Sequence, residues 1–134
     1  MKISTEIGSI ASLVGEERAV ELVAKAGFDA WDFSMFDICQ YDWEHKRIIE
    51  NGHPFLGNDY LAFARKLKQI GLDNGIVCNQ THAPFSLKRG ETLDESNIKY
   101  LNIARSIEAA GILGAKYIIV HLLGSVIDIV ADRI

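Results

Sequence analysis

The chain has 134 residues, 49% of them hydrophobic and 24% charged, with a mean hydropathy of +0.09. That is a globular composition, neither disordered nor fibrous. A net charge of −4 argues against broad nucleic-acid binding, which needs clustered Lys and Arg against phosphates. No apolar run reaches the roughly 18–20 residues that span a bilayer, and the N-terminus lacks a charged-then-apolar leader. Cys39 and Cys78 are far apart and form no CxxC, so neither a disulfide framework nor a zinc knuckle is expected. The expectation is one domain, residues 1–134, in a reducing cytoplasm.

In chain order, a strand is predicted near residues 2–8. A helix follows with Ala19, Leu22, Val23 and Ala26 on one face, closed by Gly27. A second strand is predicted near 30–35. The long connection 36–57 holds Tyr41, Trp43, His45, His53 and Phe55, and a short helix is expected around 43–50. Asn58 is the expected N-cap of a second helix, with Tyr60, Phe63, Ala64 and Leu67 as its apolar stripe and Gly71 as its end. A third strand is predicted near 76–81. Thr92 and Glu95 have capping-box spacing before a third helix, whose stripe is read as Ile98, Leu101, Ala104, Ile107 and Gly111. Gly114 closes it and a fourth strand is predicted near 117–121. Ile127, Val130, Ala131 and Ile134 have the spacing of a further short helix.

Gly27, Gly71 and Gly114 stand 44 and 43 positions apart, each between a helix and an apolar strand. This is the spacing of repeated βα units with extended loops. Four such units fit either a small doubly wound sheet or half of a (β/α)8 barrel, which in full needs about 250 residues. Side chains alternate along a strand. One face therefore takes Ile3, Thr5 and Ile7, then Trp31, Phe33 and Met35. The other takes Glu6, Asp32 and Ser34. Strict alternation groups Cys78, Gln80 and His82 in the third strand, and Tyr117, Ile119 and His121 in the fourth. Glu6, Asp32, His82 and His121 thus gather toward the C-terminal strand ends, where parallel α/β enzymes place their chemistry.

Gly27-Phe28-Asp29-Ala30-Trp31-Asp32-Phe33-Ser34, Thr81-His82-Ala83-Pro84-Phe85 and Gly114-Ala115-Lys116-Tyr117-Ile118-Ile119-Val120-His121 together resemble the second, third and fourth strand motifs of the sugar phosphate isomerase/epimerase, or xylose isomerase-like, TIM barrels. The resemblance implies a partial (β/α)8 barrel of the α/β class, the N-terminal half, with about four parallel βα units. It implies that His82, His121 and Asp32 line a pocket for a sugar or sugar phosphate. Glu6 is a further candidate from its face. It also implies a divalent metal (Mn, Mg, Co or Zn), but the family's metal ligands come from later strands. This chain by itself is therefore expected to hold no metal and to be inactive as an isomerase. A non-catalytic ligand-binding or assembly module is the alternative. A third reading, similarity to endonuclease IV-like nucleases, would make His82 and His121 metal ligands; the acidic charge disfavours it. Leu122-Leu123-Gly124 after His121 departs from the family pattern, which commonly has Pro or Gly there. Lys88 and Arg89 are a candidate phosphate contact. A half-barrel leaves two parallel edges open, so a homodimer or larger assembly through them is expected.

Overall fold

The computed structural model describes residues 1–36, 38–42, 44, 45, 47–84 and 93–120, the side chains of Tyr41, Ile48 and residues 93–100 excepted. The order is β1 (Ser4–Glu6), α1 (Gly8–Val14), α2 (Glu16–Lys25), β2 (Ala30–Ser34), β3 (Tyr41–Asp42), β4 (Arg47–Ile48), a 3-10 turn (Pro54–Leu56), α3 (Tyr60–Asp73), β5 (Val77–His82), α4 (Leu93–Leu113) and β6 (Tyr117–Ile119). Strands β1, β2, β5 and β6 form one parallel sheet in that order, while β3 and β4 form a separate antiparallel arm. The fold is therefore α/β, with helices alternating between parallel strands.

The strand order never reverses along the main sheet. With crossovers of one hand, such an order sends every connecting helix to the same face, whereas a doubly wound sheet requires a reversal. The helices behave accordingly: α2 packs on α3, α3 on α4, and all three rest on the sheet. The core lies between these layers. Trp31, Phe33 and Met35 of β2 and its end are at most 1% exposed. Phe33 meets Trp31, Phe55 and Phe63 with ring centroids 6.1, 6.3 and 6.3 Å away. Burying each such side chain contributes on the order of 1.5–3 kcal/mol.

Several sequence expectations are corrected. Gly8–Val14 is a helix of its own, separated from α2 by Gly15 at φ 80°. Among the described residues of 43–50 there is no helix; they belong to the β3–β4 arm and its flanks. The N-cap of α3 is Asp59 rather than Asn58, and it makes no side-chain capping bond. Gly71 does not end α3. It lies inside that helix where an added Cβ would stand 3.0 Å from Trp31 Nε1 and 3.1 Å from Ile76 O; the left-handed residue after α3 is Gly75, at φ 77°. Among the described side chains of α4 the buried ones are Ile103, Ser106, Ala109, Ala110 and Leu113, while Leu101 and Ile107 of the expected stripe are 65% and 49% exposed. Two apolar stripes share that helix, and hydrophobicity by itself picked the outer one. Thr92, the pair Lys88 and Arg89, Trp43 and the segment from His121 onward lie outside the described residues.

Candidate functional site on the open sheet face

Register defines the face that no described helix covers. Glu6 pairs with Asp32, Asp32 with Gln80 and Gln80 with Tyr117; one rung further, Ser34 pairs with His82 and His82 with Ile119. Paired residues of parallel strands point to the same side. Two rows of side chains therefore cross the sheet, and Glu6, Ser34 and His82 are the last residues of their strands. The structure brings together Asp32, Gln80 and His82, as the sequence reading expected. Cys78 does not join them. The register shifts between Trp31/Asp32 and Cys78/Gln80, so Asn79 is an extra residue, as in a bulge. Cys78 is buried in the core with Trp31, and Gln80 and His82 emerge on the opposite face.

The site is polar and half-buried. Ser4 Oγ donates to Asp32 Oδ1 at 2.6 Å, which orients that carboxylate along the face. Gln80 Nε2 lies 3.4 Å from His82 Nε2, a long contact whose donor and acceptor roles depend on the imidazole tautomer. Glu6 is otherwise engaged: Oε1 accepts the backbone N–H of Gly8 at 2.5 Å, at the start of α1. A Cβ at Gly8 would come 2.6 Å from that oxygen, so a larger residue there would make the Glu6 side chain shift. His121 belongs to the undescribed segment.

A second polar cluster was not foreseen. His53 Nε2 donates to Glu16 Oε1 at 3.0 Å, and the Phe55 N–H donates to His53 Nδ1 at 3.1 Å. An Nδ1 that accepts carries no proton, so the neutral ring has its hydrogen on Nε2. Both ring nitrogens are thereby engaged, and the imidazole works as a latch fastening the long connection to α2. This hydrogen bond holds the Glu16 carboxyl below its ordinary value, against a smaller opposing effect of burial. The latch borders a cavity of about 220 Å³ that Ile7, Phe33, Ser34 and Gln40 also line, at the C-terminal end of β2. The partners are 37 residues apart; the one local signal was His-Pro before a turn, with His53 as its N-cap.

The divalent cation that the resemblance implies finds no donor set among the described residues, where no group of three or more His, Cys, Asp or Glu side chains could hold a metal ion. Asp32 is bonded to Ser4 and Glu6 to Gly8. Cys39 and Cys78 are buried and unpaired with each other; burial pushes both thiols up to about 12, so neither is a thiolate near neutrality. Among the described residues no helix is long and apolar enough to cross a membrane. No family model matches the chain, and no curated protein matches it.

Proposed function

We propose that this chain is the N-terminal half of a (β/α)8 barrel of the sugar isomerase/epimerase kind and that it contributes the polyol-binding wall of the mouth. Asp32 accepts from sugar hydroxyls, Gln80 donates and accepts, and His82 donates to a hydroxyl or polarises a carbonyl. His121 belongs to the same proposal on sequence grounds. The observation that carries the reading is the unreversed order β1-β2-β5-β6 with Asp32, Gln80 and His82 on the face opposite the helices. Aldose–ketose isomerisation needs a base beside the carbonyl and a cation or acid at the enediolate oxygens. The role proposed for Asp32, Gln80 and His82 is to hold the sugar's hydroxyls and carbonyl for that chemistry.

We further propose that copies of the chain associate through the outer edges of β1 and β6, which end the sheet. Ile107 on α4, 49% exposed, supports this as an apolar surface that association would cover. Sedimentation equilibrium should show self-association that weakens in Ile107→Glu; a monomer at every concentration contradicts it.

The ligand reading is tested by titrating ¹⁵N-labelled protein with ribose, xylose and ribose 5-phosphate. The expected result is weak, saturable shifts at Asp32, Ser34, Gln80 and His82, weakened about tenfold in Asp32→Asn. Shifts confined to other surfaces, or none, contradict it.

A further inference from the structure

A larger cleft lies away from the open face, between α4 and the β3–β4 arm with the 3-10 turn. It has a volume of about 710 Å³, and its walls include Arg47, Ile49, Glu50, Leu56, Leu101 and Arg105. That is within the size range of small-molecule sites. Among the described residues its lining carries two guanidinium groups, one carboxylate and the Asn102 amide, set among three aliphatic side chains.

Arg105 is the fixed element. Its Nη1 donates to Phe55 O at 3.2 Å and to Leu56 O at 2.9 Å, and its guanidinium carbon sits 4.5 Å from the centroid of the Tyr60 ring. The plane of the group is thus set by two carbonyls and a cation–π contact. Its described hydrogen bonds use Nη1 only, although a guanidinium carries five N–H donors in a fork suited to an oxyanion. Arg47, 72% exposed and 3.6 Å from Asp42, supplies a second, movable cation at the rim. Asp42 and Glu50 stand beside the two guanidinium groups, so an incoming oxyanion takes Arg47 by displacing Asp42 from it. Ile49 and Leu101 are 39% and 65% exposed, large apolar surfaces open to a ligand's body.

We infer that this cleft binds a small organic anion: one oxyanion head, carboxylate or phosphate ester, on Arg105 and Arg47, with an apolar body against Ile49, Leu56 and Leu101. The inference does not rest on the polyol reading, since none of these residues belongs to the open face.

Phenyl phosphate, benzoate, inorganic phosphate and benzyl alcohol are titrated separately into ¹⁵N-labelled protein. The expected result is that phenyl phosphate or benzoate shifts the Arg105 side-chain Nε–H and the amides of Ile49, Leu101 and Asn102. Inorganic phosphate, with no body, and benzyl alcohol, with no charge, should bind at least about tenfold more weakly. The two anions rank the head groups. Arg47→Gln should weaken binding about tenfold, with the shift pattern otherwise unchanged, and Leu101→Asn about threefold. Because Arg105 also holds the 3-10 turn, its part is read from its own resonance in the unsubstituted protein. Binding should weaken as salt is raised from 20 to 200 mM, by analogy with screened partly exposed pairs. The inference is overturned if neither anion moves Arg105, if benzyl alcohol binds as well as phenyl phosphate, or if Arg47→Gln leaves affinity unchanged.

Discussion

On the helix-covered face of the sheet, Trp31 and Phe33 are 0% and 1% exposed and pack ring against ring. One residue along the same strand, on the other face, Asp32 and Ser34 are half-buried and hydrogen-bonded to Ser4 and to the Phe36 backbone. The two faces divide the labour. The face under the described helices supplies stability through apolar area, and the opposite face can keep polar groups in place because its residues are not needed for the core.

The largest effect that would break this contrast concerns Phe33. Phe33→Ala removes the ring that Trp31, Phe55 and Phe63 surround and should cost about 3–5 kcal/mol, or leave the chain unfolded, by urea denaturation. A cost below about 1 kcal/mol would mean that the core is elsewhere. Next, Gly71→Ala should cost about 1–3 kcal/mol, because the new methyl meets the Trp31 indole and the Ile76 carbonyl. A neutral Gly71→Ala would place that helix farther from the sheet.

A smaller effect is expected at the latch. The Glu16 carboxyl titrates below its ordinary value of 4.5, mainly through the hydrogen bond from His53. A group depressed on folding contributes stability that is present above its unfolded value and is lost as pH falls through its folded value. The urea midpoint should therefore drop more between pH 5 and 3 in the unsubstituted chain than in Glu16→Gln. Parallel profiles would remove Glu16 from the account. The smallest change in stability is predicted at the open face, where Asp32→Asn should stay within about 0.5 kcal/mol.

Much of the fold was legible because the repeat is local: helix, glycine, apolar strand. The four main strands fall where alternation and apolar runs placed them, and Trp31, Phe33 and Met35 lie on the covered face as read. Three features resisted. The extra residue at Asn79 is a property of pairing with β2, invisible along β5 itself, and it moved Cys78 to the other side. The buried stripe of α4 runs through Ser106 and alanines, weaker in hydrophobicity than the exposed Leu101 and Ile107. Glu16 and His53 meet only because the long connection folds back onto α2. Of the candidate site residues, Asp32 and His82 came from strand parity, and parity also placed Glu6 correctly. What parity could not tell is that the Glu6 carboxylate would turn onto the Gly8 backbone.

The central claim is that the open face serves a ligand rather than the fold, and His82→Ala examines it most directly. The account predicts a urea midpoint close to that of the unsubstituted chain, together with loss of the sugar-induced shifts at Asp32 and Gln80. A large fall in stability, or sugar binding left intact, would contradict it.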